Sequence, residues 1–417
     1  MHAQIEGSEA VSRAVVLCRP DVIAAYPISP QTHIVERLSR MVSQGDAGRC
    51  QYLNVESEFA ALSVLIGASA TGARTYTATT SQGLLFMAEA LYNAAGLGLP
   101  IVMTIANRAV GAPINIWNDH SDSMALRDAG WIQLYAETNQ EAADLHIQAF
   151  RLAEELSCPV MVCMDGYILT HAYEPVDMPS PALVDEFLPP FSPVQVLDPD
   201  APVSIGAMVG PEAFTEVKYL AHQQHLRALT LVPEIADAFE QRFGRVSGGL
   251  CTTYRMDDAD MVVIALGSVV GTIKDAVDEL RKEGIAVGCM KIGCYRPFPA
   301  LRVREALERC TRVVVVEKDL SVGMGGIVSA DVRMALNGLP IPVHTVIAGL
   351  GGRSISTVSL KQMVRDARAE RLSEPYFLDL NEKVVNEVFL NRQERRQAGP
   401  LPEQLIRSMN PIGVRDV

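Results

Sequence analysis

Cysteine is scarce in this sequence, and no two cysteines have the spacing of a metal-binding pair. The 417 residues contain eight cysteines, none of them in a C-x-x-C motif. This excludes the usual sequence patterns of a structural zinc site or an iron–sulfur cluster, and we expect no metal ligands in this chain. The apolar neighbours of the cysteines are typical of buried thiols in a reducing compartment. The eight are Cys18, Cys50, Cys158, Cys163, Cys251, Cys289, Cys294 and Cys310.

Long apolar runs and a basic leader are also missing. No run reaches the roughly 18–20 residues that a membrane span needs. The start, MHAQIEGSEA, lacks the basic region and apolar core of a secretory signal. Lysine and arginine total 36 against 49 acidic residues, a net charge of −13. Because nucleic acids and anionic membranes bind basic surfaces, we expect neither as a partner, and we expect a cytoplasmic protein.

The sequence does have a globular composition and alternating strand-like and helix-like segments. Hydrophobic residues make up 48%, and the length predicts two or three domains. Over residues 1–190, near-continuous apolar strands alternate with helices, which predicts a parallel sheet covered on both faces. The predicted strands are 22–28, 73–80, 99–107 and 158–165. The predicted helices are 33–42, 59–72, 83–98 and 141–156.

The rest of the chain divides into three further segments. A run of prolines between residues 174 and 202 predicts an extended connector, and residues 191–256 as a whole are predicted to be a linker with an irregular, largely helical segment. Strand–helix alternation returns over residues 257–368 and predicts a second α/β domain. Residues 369–417 are charged and contain proline, which predicts an extended C-terminal tail.

Open parallel sheets bind ligands beyond the carboxyl ends of their strands, so the polar residues that follow the strands are the candidates. The segment Tyr26-Pro-Ile28-Ser29-Pro30 follows the first strand. Its prolines fix φ and predict a rigid loop that presents Ser29 to a cleft. An ordinary strand-to-helix turn with Ser29 near the helix N-cap is the alternative.

Two carboxylates stand near the start of the Ala-rich helix. Glu58 heads a strongly apolar segment, so it is expected to be in packed surroundings, where a carboxyl group can share a proton with a ring nitrogen. Its alternative role is to stabilise the helix dipole. Glu56 is the alternative candidate for the proton-sharing role, and the sequence alone hardly distinguishes the two glutamates.

Asn107 and Arg108 end the buried strand 99–107. An arginine there is costly unless it meets an anion, and its planar fork suits a carboxylate. The alternative is an ion pair within the chain to Asp119 or Asp122. Those aspartates belong to the polar segment 115–122, which is a poor zinc motif and is interpreted as a loop lining the cleft.

The second domain contains glycine-rich turns. Ser321 to Gly326 follows a strand, and its amides could hold phosphate, although it does not match the nicotinamide fingerprint. Arg296 to Pro299 and Gly349 to Arg353 are predicted to be rigid turns or interface contacts.

Together these motifs resemble the α subunit of the 2-oxoacid:acceptor oxidoreductases, the pyruvate:ferredoxin oxidoreductase family. The resemblance extends from Gly7 to Arg368 and is carried by AAYPISPQT, VESEFAALSVLIGASATGARTYTATTSQGL, ANRAVGAPINIWNDHSDSMALRDAGWIQLYAE and VMVCMDGYILTH. It implies an α/β fold with two modules. Residues 1–190 would be a parallel-sheet domain that binds the pyrimidine ring of thiamine diphosphate, and residues 257–368 a transketolase C-terminal-like domain.

The resemblance also implies residue roles. Glu58 would be the catalytic glutamate that hydrogen-bonds N1′ of the cofactor, with Tyr26 and Ile28 as further cofactor contacts. Arg108 and Ser29 would bind the substrate. The family usually has YPITP where this chain has YPISP, and the lost methyl leaves room beside the substrate. A branched-chain or aryl 2-oxoacid such as phenylglyoxylate therefore competes with pyruvate.

The resemblance finally implies a multi-subunit enzyme. A β subunit would supply the diphosphate and Mg²⁺ site, and γ- and δ-type subunits would carry [4Fe-4S] clusters. Coenzyme A would accept the acyl group, and ferredoxin or an NAD-linked flavin subunit would accept electrons. Two other functions stay open: part of a non-redox thiamine diphosphate decarboxylase or carboligase, and a non-catalytic scaffold subunit.

Overall fold

The computed structural model describes residues 2–394 and 400–409, and these residues form two α/β units that pack against each other. The α/β fold class predicted from the sequence is confirmed. The helices are α1 (Gly7–Leu17), α2 (Thr32–Gln44), α3 (Glu58–Ala70), α4 (Ser81–Phe86), α5 (Ala88–Gly96), α6 (Ser121–Ala125), α7 (Asn139–Leu156), α8 (Pro181–Phe187), α9 (Phe214–Leu226), α10 (Ala228–Phe243), α11 (Val269–Lys282), α12 (Ala300–Leu307), α13 (Val328–Ala335), α14 (Thr357–Arg368), α15 (Glu382–Glu394) and α16 (Leu401–Met409).

Strands form two large sheets and one small one. They are β1 (His2–Glu6), β2 (Val22–Ala25), β3 (Gln51–Asn54), β4 (Thr75–Thr79), β5 (Ile101–Asn107), β6 (Ile132–Tyr135), β7 (Val160–Asp165), β8 (Tyr173–Asp177), β9 (Cys251–Tyr254), β10 (Met261–Ala265), β11 (Val287–Ile292), β12 (Cys294–Arg296), β13 (Arg312–Glu317), β14 (Val343–Ile347) and β15 (Tyr376–Phe377). Among the described residues, no helix is long and apolar enough to span a membrane.

The first large sheet has the order β12-β6-β7-β5-β4-β2-β3, and only β12 is antiparallel to its neighbour. Every residue of the central strands β4, β5 and β7 is buried, as expected for parallel strands covered on both faces, although three of the five residues of β4 are threonines. One core packs α1, α2 and α7 on one face, and a second core packs α3 and α5 on the other. The first strand ends at Ala25, earlier than predicted, and the short strands β3 and β6 carry no long apolar run that would predict them.

The proline-rich connector is more ordered than the sequence predicts. Its first part is β8, which pairs antiparallel with β1 at the start of the chain. The next part is α8, whose N-cap Ser180 accepts a hydrogen bond from the amide of Leu183. Val176, Val184 and Phe187 are buried in the first core. Pro181 is tolerated because it occupies the first turn of the helix, where no amide donor is required.

The second large sheet has the order β15-β14-β13-β10-β11-β9. Its strand β9 begins at Cys251, before the predicted domain start at residue 257. The chain then crosses between sheets, because β11 lies in the second sheet and the following β12 joins β6 of the first. One apolar cluster includes residues of both domains, so the two sheets share a core.

The C-terminal segment was expected to be extended, and the structure corrects this. Within the described part of residues 369–417, a short strand β15 adds to the edge of the second sheet, and two helices, α15 and α16, follow. Helix α15 carries many charged residues, which favour solvent. Its Val388 is only 8% exposed, so one face of the helix packs against the protein. High charge in this segment reflects exposed helix faces and not an absence of helix.

Candidate active site

The candidate residues meet at the carboxyl edge of the first sheet. The parallel register pairs Ala25 with Asn54, Thr79 with Ile105 and Asn107 with Asp165, so these strands end side by side. The loops after them therefore share one edge, as expected for an open parallel sheet.

Glu58 is buried at the first turn of α3, and the structure separates it from Glu56. Glu58 is 7% exposed, whereas Glu56 is exposed. Ser57 caps the helix through the amide of Ala60, so Glu58 is not required as the cap. Its carboxylate lies against Gly83 of α4, where an added Cβ would come within 2.6 Å of Glu58 Oε1. Gly83 thus makes room for this carboxylate, a requirement that the sequence did not reveal.

The Tyr26–Pro30 loop is held by a buried glutamine that sequence reasoning missed. Gln31 is 0% exposed, and its Nε2 donates to the carbonyl oxygens of Tyr26 and Ala78 at 3.2 and 2.5 Å. Tyr26 is 39% exposed, Ile28 is half-buried and Ser29 is exposed. Ser29 lies two residues before Gln31, the N-cap position of α2, and no side chain makes a capping hydrogen bond to this helix.

Arg108 is 6% exposed and reaches the same loop. Its Nη1 donates to the carbonyl oxygen of Ser29 at 2.7 Å, and its Nε donates to that of Asn115 at 3.0 Å. Burial lowers the pKa of this guanidinium. In residues 2–394 and 400–409 the structure shows no ion pair between Arg108 and Asp119 or Asp122, which was the alternative. The two carbonyl bonds use Nε and Nη1, and Nη2 makes no hydrogen bond to the described residues. A buried arginine with such a donor is suited to binding a carboxylate.

Asp122 is the residue that organises this edge, and it was grouped only as part of a polar loop. Its Oδ2 accepts from the backbone amides of Arg108 and Ser81 at 3.0 and 2.9 Å. Its Oδ1 accepts from Asn107 Nδ2 and from the Ser123 amide, both at 2.8 Å. Burial raises the pKa of Asp122, although the four donors oppose the shift. Asp122 thereby joins the strand that carries Arg108 to the start of α4, whose Gly83 contacts Glu58.

The second domain reaches the same edge through a buried ionic cluster around Asp165. Its Oδ1 lies 2.8 Å from His120 Nε2, and its Oδ2 accepts from Lys318 Nζ and the Ser268 amide, both at 3.0 Å. Burial alone would raise the pKa of Asp165, but Lys318 and His120 hold it well below its usual range. The two domains are therefore joined where the candidate site lies.

One group of side chains in the described part of the chain has ligand types that suit a metal ion. One atom each of Glu6, His33 and His171 lies within 4.8 Å of the others. Arg37 Nη2 lies 2.6 Å from Glu6 Oε2, and His33 Nδ1 lies 2.6 Å from Glu6 Oε1. The guanidinium of Arg37 beside Glu6 would repel a metal cation. We therefore interpret the group as a set of ion pairs around the Glu6 carboxylate. The expectation that this chain supplies no metal ligand stays a prediction.

The residues present fit the pyrimidine end of thiamine diphosphate. In the residues that the structure describes, no hydrogen bond to the Glu58 carboxylate is seen, and the neighbouring Thr79 Oγ1 is buried without a partner. An added Cβ on Gly83 would lie 2.6 Å from both Glu58 Oε1 and Thr79 Oγ1, so the two oxygens lie near each other. A buried carboxyl group beside an unsatisfied hydroxyl is suited to the ring nitrogen and amino group of an aminopyrimidine.

Comparison with known protein families decides the relationship. Residues 13–237 match the family described as "Pyruvate flavodoxin/ferredoxin oxidoreductase, thiamine diP-bdg", and residues 259–360 match "Pyruvate:ferredoxin oxidoreductase core domain II". The chain belongs to the pyruvate:ferredoxin oxidoreductase family. It is an α subunit of a thiamine diphosphate-dependent 2-oxoacid oxidoreductase, as the sequence motifs predict. Of the three functions left open by the sequence, membership of this family supports the redox enzyme.

Curated relatives match over most of their length. Pyruvate synthase subunit PorA of Methanosarcina barkeri is 47% identical over 390 residues, which are 91% of this chain and 97% of the relative. Ketoisovalerate oxidoreductase subunit VorA of Pyrococcus abyssi is 41% identical over 367 residues, which are 87% and 93% of the two chains.

Solved structures share the fold at low sequence identity. A 2-oxoglutarate:ferredoxin oxidoreductase from Magnetococcus marinus has a TM-score of 0.65 and 18% identity, and the match covers 88% of this chain and 65% of that chain. A split-gene transketolase has a TM-score of 0.53 and 15% identity, and the match covers 88% and 99%. These likenesses confirm the α/β fold, which the chain shares with a 2-oxoacid oxidoreductase and a transketolase.

Proposed function

We propose that this chain binds the pyrimidine end of thiamine diphosphate and the 2-oxoacid in an enzyme that converts the 2-oxoacid and coenzyme A to acyl-CoA and CO2. The observation that carries the proposal is the meeting of three side chains of the right chemistry at one sheet edge. Glu58 is a buried carboxyl group, Arg108 is a buried cation without a carboxylate partner among the described residues, and Ser29 adjoins Arg108.

Each residue then has a defined task. Bound thiamine diphosphate supplies the electron sink for decarboxylation. Glu58 shares a proton with N1′ of the pyrimidine ring, which a buried carboxyl group in a dry site can do. Arg108 binds the substrate carboxylate through its free guanidinium edge, and Ser29 donates its hydroxyl to a substrate oxygen. Tyr26 and Ile28 line the ring, because their loop lies at the end of the strand next to that of Glu58.

Pyruvate is the first substrate to test, and a branched-chain 2-oxoacid is the second. The name of the Methanosarcina barkeri relative indicates pyruvate, and that of the Pyrococcus abyssi relative indicates ketoisovalerate. The YPISP loop supports the bulkier choice, because Ser29 lacks the methyl of the threonine that is usual in the family. Phenylglyoxylate, which has a flat aryl group, is the bulkiest of the candidate substrates.

The enzyme would need partner subunits for the rest of the chemistry. A β subunit would hold the diphosphate and Mg²⁺, and γ- and δ-type subunits would hold [4Fe-4S] clusters that take electrons singly to ferredoxin or to an NAD-linked flavin subunit. The cysteines of this chain support that division of labour. All eight are free thiols and seven are buried, and burial raises the pKa of Cys158 to about 12. None of them belongs to a C-x-x-C motif of the kind that ligates iron–sulfur clusters. The complex would act in the cytoplasm.

The test compares Glu58→Gln with Glu56→Gln in the assembled complex. Glutamine is isosteric but cannot share a proton with N1′, so Glu58→Gln should stop hydrogen–deuterium exchange at C2 of the bound cofactor. Glu56→Gln changes an exposed carboxylate two residues away and should leave exchange at the wild-type rate. Wild-type exchange in Glu58→Gln, with cofactor binding intact, would remove Glu58 from this role.

A further inference from the structure

The glycine turn (Gly349–Arg353) of the second domain lies against the arginine loop (residues 108–122) of the first. Asn115 Nδ2 donates to the carbonyl oxygen of Gly351 at 3.1 Å, and the Gly351 amide donates to Asp119 Oδ2 at 3.0 Å. These two bonds join residues more than 230 positions apart in the chain. The turn was expected to be a rigid turn or an interface contact, and the structure shows which surface it contacts.

Glycine is required at two positions of this contact. An added Cβ on Gly351 would lie 2.5 Å from Asn115 Nδ2, and one on Gly352 would clash with Cβ of Trp117. Both residues also have positive φ, 59° and 81°, which disfavours other side chains. The close approach of the two backbones therefore depends on the absence of side chains in the turn.

The arginine loop transmits this contact to Arg108. The carbonyl oxygen of Asn115 accepts from Arg108 Nε at 3.0 Å, while the side chain of the same residue is held by Gly351. Farther along the loop, the His120 amide donates to the Lys318 carbonyl at 2.7 Å. The second domain thus holds the loop at Asn115, Asp119 and His120.

We infer that the glycine turn is a positioning element for substrate binding: through Asn115, it sets the orientation of the Arg108 guanidinium toward the 2-oxoacid carboxylate. This inference rests on the proposed function, because it assumes that Arg108 binds the substrate. It assigns to the second domain a part in substrate affinity, although the turn itself does not contact the guanidinium.

The test compares Gly352→Ala with Gly338→Ala in the assembled complex. Gly338 lies in the same domain and has φ of 84°, but nothing lies within 4 Å of its added Cβ, so it reproduces the backbone strain without the clash. Gly352→Ala should raise KM for the 2-oxoacid about ten- to a hundredfold, since a displacement near 1 Å has effects of that size. Hydrogen–deuterium exchange at C2 of the cofactor should stay at the wild-type rate, because Glu58 is not moved. Gly338→Ala should change neither quantity.

Asn115→Ala is the second variant, for the case in which Gly352→Ala does not assemble. It removes the side-chain bond to Gly351 but keeps the carbonyl that holds Arg108, and it should raise KM in the same direction. If both variants keep the KM of Gly338→Ala while the wild-type complex turns over its 2-oxoacid, the inference is wrong and the proposed function stands. A fall in kcat and C2 exchange together, without a change in KM, would indicate general damage and would also overturn it. A wild-type complex that turns over no 2-oxoacid would overturn the proposed function itself.

Discussion

At the scale of the residue, the buried guanidinium of Arg108 is held by carbonyl oxygens and, among the described residues, by no carboxylate. The carbonyls of Ser29 and Asn115 orient the guanidinium without neutralising it. Asp122 contacts the backbone amide of Arg108, and its carboxylate forms no ion pair with the guanidinium in the part of the chain that the structure describes. This arrangement is what the proposed role of Arg108 as the ligand of the substrate carboxylate requires.

Arg108→Lys is expected to raise KM for the 2-oxoacid. Lysine keeps the charge but replaces a planar fork by a point charge and loses the carbonyl bonds that orient it. Loss of one charge-assisted bond costs about 1.5–3 kcal/mol, or roughly ten- to a hundredfold in KM. Steady-state kinetics of the complex measure this, and Arg127→Lys is the control, because Arg127 is partly exposed and bonds the Met124 carbonyl. An unchanged KM would exclude Arg108 as the carboxylate ligand.

Ser29→Thr tests the size of the substrate pocket. Threonine keeps the hydroxyl and adds one methyl, which is worth about 1–3 kcal/mol in a filled pocket. The value of kcat/KM for a branched-chain or aryl 2-oxoacid should fall more than that for pyruvate. The ratio of the two specificity constants is the measurement, and a ratio equal to that of wild type would contradict a role of Ser29 in selecting the larger substrate.

At the scale of the element, strand β5 and helix α7 are joined by a buried polar contact. His146 Nε2 lies 2.5 Å from Thr104 Oγ1, which in turn lies 2.6 Å from the Tyr76 hydroxyl. His146 is 0% exposed, and burial lowers its pKa to about 4. Strand β5, which ends one residue before Arg108, thus contacts a buried histidine that stays neutral near pH 7.

This contact predicts a loss of local stability in acid. Below pH 6.5 the unfolded segment binds a proton at His146, whereas the folded one does not until about pH 4. The free energy of opening should therefore fall by about 1.4 kcal/mol per pH unit, or about 2 kcal/mol between pH 6.5 and 5. Amide hydrogen exchange of β5 and α7 in the complex, corrected for intrinsic rates, measures it.

His146→Gln should flatten this pH dependence, because glutamine does not titrate. The matched control is His222→Gln, since His222 is exposed on α9. Equal slopes in wild type and His146→Gln would show that another group causes the acid sensitivity.

The accuracy of the element predictions follows the strength of the local pattern. Strands β5 and β7 were predicted from their nearly continuous apolar runs, because strands buried on both faces need no polar alternation. Strand β4 was predicted from its β-branched residues, which are three threonines. The pair β1 and β8 was missed, because its partners lie more than 160 residues apart and have mixed composition. Pairing over such distances is a property of the tertiary fold and leaves no local signal.

At the scale of the whole molecule, the Asp165 cluster connects the two domains. Asp165 ends β7 in the first sheet, while Lys318 and Ser268 follow strands of the second. All charges in it are almost fully buried, so each depends on its partner for solvation. The stability of this junction should therefore fall sharply when one charge is removed. It should fall less when two opposite charges are removed together.

Asp165→Asn is expected to destabilise the protein by about 3–5 kcal/mol, because it leaves the buried Lys318 without a counter-charge. The double variant Asp165→Asn with Lys318→Met should recover part of that loss. Calorimetric Tm values of the complex check both. Asp258→Asn is the control, since Asp258 forms an exposed pair with Arg281 that should matter little. A double variant less stable than Asp165→Asn alone would contradict this account.

The sequence by itself determined the class of the fold, the approximate limits of its apolar strands and the types of polar residue that follow these strands. These features are local, because apolar runs, prolines and glycines act on the backbone within a few residues. The tertiary structure alone decided which glutamate is buried, which oxygens hold Arg108, and that Gly351 contacts Asn115. Glu56 and Glu58 have the same composition around them, and only packing against Gly83 distinguishes them. Burial and partner choice depend on segments far apart in the chain, and for that reason no local pattern contains them.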